Sequence, residues 1–151
     1  MNLARLSRQI NVIVNAYNEY GLLRFLDRIK IRFYFKLKQV DFSRVTLNNI
    51  EECVDNKEFG TMYSATTYHG LESSINKISK IDSKIFEGAF IDYGSGKGLT
   101  LYTAYKMKFN KVIGVEFMKE LHDIANNNLS KLLKNRKIIT INKDAVEVPP
   151  P

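Results

Sequence analysis

The chain has 151 residues, of which 44% are hydrophobic and 11% aromatic, so we expect one packed domain rather than a disordered chain. The net charge of +7 does not by itself establish a polyanionic partner. A single cysteine, Cys53, excludes an intramolecular disulfide, and its acidic neighbours favour a structural thiol over a catalytic one. No run of about 18 apolar residues and no signal-peptide pattern is present, so we predict a cytoplasmic protein.

Residues 1–40 are predicted to form a basic, amphipathic helical extension. Apolar residues follow helical spacing from Leu22 to Ile29, but from Ile29 to Phe33 they alternate with cations, so that part fits a strand or a helix. Three uses stay open: packing on this chain or a partner, resting on an anionic membrane, and contacting nucleic acid. The cations of the segment are Arg24, Arg28, Lys30, Arg32, Lys36 and Lys38.

Strand and helix patterns alternate along the rest of the chain after a turn-rich region at 41–70. The predicted strands are 89–92, 111–116 and 137–142, and the predicted helices are 70–80, 97–108 and 119–135. This alternation predicts an α/β fold in which three parallel strands are flanked by helices. Residues 41–151 would form this domain.

The glycine-rich stretch that follows the first predicted strand is the strongest functional signal. Asp92 ends the strand, and Gly94, Gly96 and Gly98 follow at alternate positions before a helix. Glycines allow a tight turn against a ligand, and the N-terminus of the helix favours an anionic group. Because Asp92 would attract a cationic group, the loop suits a ligand that carries both charges.

Two nucleotide-binding motifs fit this loop less well. The dinucleotide motif requires a third glycine where this chain has Leu99, and Asp92 would repel a pyrophosphate. A phosphate-binding P-loop requires a lysine after its last glycine, but Leu99 follows Gly98.

Two further acidic residues follow the next predicted strands. Glu116 ends the second strand 22 positions after Gly94, close to the spacing of about 20 for an acid that binds ribose hydroxyls. It supports any adenosine-containing ligand without distinguishing among them. Asp144 follows the third strand, where a ligand contact and an ordinary turn aspartate are both open.

The pattern Asp-x-Gly-x-Gly-x-Gly after a strand resembles the first motif of class I S-adenosylmethionine-dependent methyltransferases. Upstream, residues 40–43 and 63–68 are similar to bacterial members and to small lysine-directed protein methyltransferases, with Ala65 where proline is frequent. The resemblance implies a Rossmann-like fold and S-adenosylmethionine as the cofactor. It also implies a cofactor site. At the methionine end, Asp92 would bind the amino group, the backbone of Gly94, Gly96 and Gly98 would approach the cofactor, and Tyr63 and Thr66 would line the pocket. At the other end, Glu116 would bind the ribose, Phe117 or Met118 would lie beside the adenine, and Asp144 and Ala145 would contact the adenine edge.

The chain differs from such a methyltransferase in its number of strands. A complete sheet has seven strands, so three strands predict a truncated or partial domain, or one that a partner chain completes. The final prolines are interpreted as a polyproline tail, since no strand and no acidic or amide residue precedes Pro149. No catalytic base or metal ligand is assigned: His122 is interpreted as a surface histidine, His69 is the less improbable base, and Lys97 is expected to be solvent-exposed.

Three functions therefore remain for the sequence. The first is methyl transfer to a protein lysine or another nucleophile. The second is a non-catalytic, cofactor-binding remnant that needs a partner chain. The third, which Leu99 and Asp92 disfavour, is a fragment of an NAD-binding oxidoreductase.

Overall fold

The computed structural model describes residues 21, 25–43, 66–134 and 138–150, which belong to two compact units that meet in sequence between Lys38 and Gln39. In the first unit, residues 25–37 are helical and are called α1. The alternating stretch from Ile29 to Phe33 is thus helix and not strand. None of the helices in the described ranges has both the length and the apolar character needed to cross a bilayer.

The second unit is an α/β layer built on a short parallel sheet. The elements in chain order are α2 (Tyr68–Ser79), β1 (Ala89–Tyr93), α3 (Leu99–Lys106), β2 (Lys111–Val115), α4 (Lys119–Leu132) and β3 (Ile138–Ile141). The strands are ordered β1-β2-β3, and Asp92 pairs with Gly114, which in turn pairs with Thr140. The predicted α/β fold with three parallel strands and flanking helices is confirmed.

Helices α3 and α4 cover the same face of the sheet, as expected for successive right-handed crossovers. Gly114 of β2 lies against Leu101 of α3, and the Thr140 hydroxyl of β3 donates to Asn126 of α4, 2.9 Å away. Side chains alternate along a strand, so Tyr93 and Ile139 belong to the opposite face, and both are exposed. The buried core between sheet and helices includes Leu101, Ala104, Val112, Ala125, Leu129 and Ile138.

The helix boundaries have local causes. Thr67 caps α2 by accepting a hydrogen bond from the Gly70 N–H. Helix α3 begins at Leu99, two residues later than predicted, because Gly98 before it has a left-handed φ of 84°. Two short 3-10 helices, Ser83–Glu87 and Ala145–Glu147, were not distinguished from turns in the sequence.

Candidate cofactor site at the carboxyl ends of the strands

The glycine loop between β1 and α3 adopts a conformation that depends on its glycines. Gly94, Gly96 and Gly98 have φ values of 85°, 51° and 84°, a region that other residues rarely occupy. A Cβ on Gly94 would meet no atom within 4 Å, whereas one on Gly98 would lie 3.2 Å from the Cβ of Ala125. Gly94 therefore offers an open backbone surface, while Gly98 allows α3 to approach α4.

Asp92 lies where the sequence predicted it, at the end of β1 beside the loop. Its Oδ2 accepts a hydrogen bond from the hydroxyl of Thr100 in the first turn of α3. Among the described residues Thr100 is its only hydrogen-bond donor, so Oδ1 can accept from a ligand. Sequence analysis missed Thr100, although its place in the first helical turn after the loop was a usable signal.

Glu116, at the end of β2, is only 4% exposed and lies directly against the glycine loop. Its Oε2 accepts from the Gly96 N–H at 2.8 Å, and its Oε1 accepts from the Met118 N–H at 3.0 Å. Burial raises the pKa of the Glu116 carboxyl, although the hydrogen bonds from Met118 and Gly96 oppose that rise. Each carboxylate oxygen keeps a second lone pair that could accept from a ribose hydroxyl. The role of Glu116 in binding ribose stays a prediction.

The turn after β2 is held by Asn142, another residue that sequence analysis missed. Its Nδ2 donates to the backbone carbonyls of Glu116 at 2.8 Å and Phe117 at 3.0 Å. Phe117 lies at the surface and Met118 is buried, so Phe117 is the one with a side chain available to a ligand. Asn142 thus connects the end of β3 to the predicted adenine-binding turn.

Lys97 contradicts the expectation of solvent exposure, because it is 1% exposed and among the most deeply buried side chains of the described residues. Its Nζ donates to Asp41 Oδ2 at 2.6 Å and to Ser43 Oγ at 3.3 Å. Partial burial of Asp41 opposes ionisation, but the hydrogen bonds from Lys97 and Ser43 outweigh it and lower the pKa of Asp41. The carboxylate also offsets a cation that would otherwise oppose the dipole at the start of α3.

Asn128 joins this ion pair to α4. Its Oδ1 accepts from the Asp41 N–H at 3.0 Å, and its Nδ2 donates to the carbonyls of Asp41 at 2.8 Å and Lys97 at 3.1 Å. Asn128 is fully buried in the apolar face of α4, next to Leu129. An amide within an otherwise apolar helical stripe was the signal that could have identified it.

The residues predicted to contact adenine lie at the same edge of the sheet. Asp144 caps the last 3-10 helix, with Oδ1 accepting from the Val146 N–H, so the turn interpretation describes its local role. Ala145 lines a cavity of about 400 Å³ that also includes Tyr93, whose hydroxyl donates to the Val148 carbonyl at 3.0 Å. The remaining lining residues are Val146, Val148, Pro149 and Pro150, and no residue of the glycine loop is among them.

The methionine end of the predicted site is only partly described. Tyr63 and Cys53 lie outside the described residues, and Thr66 is exposed just before α2. His69 Nδ1 lies 3.4 Å from Glu72, while its buried Nε2 has no hydrogen-bond partner among the described residues. His122, interpreted as a surface histidine, is half-buried, with a side chain that is 17% exposed and lies 3.6 Å from Asp123.

Comparison with known proteins gives a result at the level of fold. No family model and no curated protein matches the chain. A crystal structure of a proposed RNA methyltransferase from Pyrococcus horikoshii aligns with a TM-score of 0.50 and 21% identity over 68% of this chain and 50% of that one. A proposed S-adenosyl-L-methionine-dependent methyltransferase from Methanococcus maripaludis aligns with a TM-score of 0.36 and 21% identity over 60% and 48% of the two chains.

The first of these alignments shows that the described sheet and its helices share a Rossmann-like α/β fold with that structure. The chain spans about half the length of each of the two structures.

Proposed function

We propose that this chain binds S-adenosylmethionine and belongs to an enzyme that transfers its methyl group. The observation that carries the proposal is the pairing of Asp92 with an open glycine turn at the start of α3. Asp92 Oδ1 would accept from the ammonium group of the methionine moiety. The carboxylate of that moiety would lie at the positive end of α3, and the methyltransferase fold supports the assignment.

The other residues of the site fit the remaining parts of this cofactor. The second lone pairs of Glu116 would accept from the ribose hydroxyls, and Phe117 would cover one side of the adenine. Asp144 uses Oδ1 for its cap, which leaves Oδ2 for the adenine amino group beside Ala145.

Positioning is the main task of these residues, because a displacement at carbon depends on alignment more than on a protein acid or base. S-Adenosylmethionine would supply a methyl group on a sulfonium, which is electrophilic without further activation. Asp92 and Glu116 would fix the two ends of the cofactor. A protein lysine is the acceptor we propose first, and the description of the Pyrococcus protein as an RNA methyltransferase makes RNA the competing acceptor.

A non-catalytic role with a partner chain is a second candidate, which one observation favours. Strand β1 pairs with β2 alone among the described strands, so its other edge is available for a further strand. An NAD-binding function is disfavoured. Leu99 occupies the position of the third glycine with a buried side chain, and Asp92 would repel a pyrophosphate.

Calorimetric titration of the chain with S-adenosylmethionine, S-adenosylhomocysteine and NAD tests the proposal. We expect the first two to bind and NAD not to bind. Asp92→Asn should weaken binding by roughly 10- to 100-fold, because a hydrogen bond to a charged group is lost. Asp123→Asn is the matched control, since Asp123 is an exposed carboxylate paired with Lys119, and it should bind like the unchanged chain.

Three results would change this assignment. Binding of NAD, or unchanged affinity in Asp92→Asn, would contradict the cofactor site. Failure of a folded chain to bind either sulfur cofactor would favour the remnant that needs a partner. If the cofactor binds, methyl incorporation into lysine peptides and into RNA, followed by mass spectrometry, distinguishes the two acceptors.

A further inference from the structure

Helix α1 exposes a row of large apolar side chains. Leu26, Ile29, Phe33 and Leu37 are separated by three or four positions, which places them on one side of the helix. Each of them is between 41% and 65% exposed. Single exposed apolar residues are normal on protein surfaces, but four in a row form a patch that is typical of an interaction site.

Cations border this apolar row on both sides. At 3.6 residues per turn, Lys30 falls next to the row on one side, and Lys36 and Arg32 fall on the other. All three side chains are exposed, and Lys30 is 3.8 Å from Asp27, the only acidic residue between positions 25 and 38. The same stretch has five basic residues, so it is strongly positive.

We propose that α1 binds the surface of a membrane that contains anionic lipids. The apolar row would enter the boundary between headgroups and acyl chains, and the bordering cations would contact the negatively charged headgroups. The described part of the helix, residues 25–37, is roughly 20 Å long and carries several charges. It is therefore suited to lie in the interface and not to span the bilayer.

An RNA partner fits this surface less well. Binding to phosphates requires cations, which α1 has, but it would leave the apolar row in water. A membrane surface covers both the apolar row and the cations that border it. This inference is independent of methyl transfer, because it uses only residues of the first unit.

Co-sedimentation of the full chain with lipid vesicles tests the proposal. We expect binding to phosphatidylcholine vesicles that contain about 25% phosphatidylglycerol, weaker binding to phosphatidylcholine alone, and release by high salt. Phe33→Asp should reduce the partition coefficient by about tenfold or more, because it removes an inserted ring. Lys30→Gln and Lys36→Gln should each reduce it by about fivefold.

Ile81→Asp is the matched control, because Ile81 is an apolar side chain of the second unit that is 88% exposed. It should sediment like the unchanged chain, and circular dichroism should show that every variant keeps its helical content. Equal binding to both kinds of vesicle, or full binding by Phe33→Asp, would overturn the proposal. So would tight binding to a short RNA that displaces the vesicles and does not respond to Phe33→Asp.

Discussion

Glu116 is nearly fully buried, and its carboxylate is shared between two backbone donors, as buried charged groups require. The Gly96 and Met118 N–H groups each donate to a different oxygen of this carboxylate. The side chain thus fixes the glycine loop to the turn after β2. Burial disfavours the charged form of this carboxyl and raises its pKa, and the two backbone donors oppose that rise.

The raised pKa of Glu116 predicts how stability depends on pH. The folded chain binds the Glu116 proton more tightly than the unfolded chain, so this group lowers stability as pH rises from its ordinary pKa of 4.5 through the raised value. Asp41 has the opposite effect, because folding lowers its pKa from the ordinary value of 3.8. Its contribution to stability is present above pH 3.8 and is lost as pH falls through the lowered pKa. The free energy of unfolding, measured in urea across this pH range, should show both slopes.

Glu116→Gln isolates the first slope. An amide can accept from one backbone donor only and turns its own N–H groups towards the other, so we expect a loss of about 1–3 kcal/mol together with a flatter pH profile above 4.5. Glu147→Gln, at an exposed residue paired with Lys143, should leave both the free energy of unfolding and its pH profile unchanged. A Glu116→Gln chain with the original pH slope would contradict this account.

The sequence identified those site residues that lie at a fixed spacing from a motif, and it did not identify those whose partners are distant in sequence. Glu116 was found by its distance from Gly94, because a strand-turn-helix unit has a nearly fixed length. The burial of Lys97 was not predicted, because its partner Asp41 is 56 positions away and no local pattern connects them. Asn142 was missed for the same reason, whereas Asn128 had a local signal in the apolar stripe of α4 that was not used.

Among the elements, β2 and α3 are in contact at Gly114. A Cβ there would collide with Leu101 Cδ1 and lie 2.8 Å from Ser95 Oγ, at the point where α3 crosses the sheet. Gly114→Ala should therefore cost about 1–3 kcal/mol of unfolding free energy through overpacking. Gly88→Ala is the control, because its Cβ would be 3.5 Å from the nearest atom, and urea unfolding should show a much smaller change. Equal losses in the two variants would exclude overpacking as the cause.

The Lys97–Asp41 pair fastens residues 41–43 to the glycine loop, and its two partners differ in exposure. The Lys97 side chain is 2% exposed and that of Asp41 is 53% exposed. Asp41→Ala leaves a buried cation with less compensation and should cost roughly 3 kcal/mol, whereas Lys97→Met leaves a carboxylate that water can reach and should cost less. Denaturant unfolding of both variants measures this difference.

A double mutant provides the internal check on this pair. If the two groups act together, the loss in Asp41→Ala/Lys97→Met should be smaller than the two single losses combined. The exposed pair Lys119–Asp123 serves as the reference, and its coupling should be near zero. Additive losses at Lys97 and Asp41 would show that each residue stabilises the fold separately.

The elements themselves were predicted more accurately than the site. Each strand was located to within one residue at either end, because short apolar runs flanked by helical patterns define them well. The start of α3 was misplaced, since the positive φ of Gly98 that delays it is not visible in a hydrophobic pattern. For residues 29–33 the apolar pattern fitted both a helix and a strand, and only the structure identifies a helix.

In the whole molecule, the candidate cofactor residues that the structure describes gather at one edge. Parallel strands place their carboxyl ends together, so the loops after β1, β2 and β3 converge although they are far apart in sequence. Asp92 lies near the end of β1, and Glu116 and Asp144 follow β2 and β3. If the proposed function is right, this edge would hold the cofactor, and contacts to the methyl acceptor would come from other residues or from a partner.

The fastening of Asp41 by Asn128 has a consequence for the order of events during synthesis. Asn128 follows Asp41 by 87 positions and Lys97 by 31, yet its one amide binds the backbone of both. At ribosomal speeds of about 5–20 residues per second, Asp41 is made on the order of ten seconds before the side chain that secures it. The restraint that Asn128 places on the backbones of Asp41 and Lys97 can therefore form only after α4 has been synthesised.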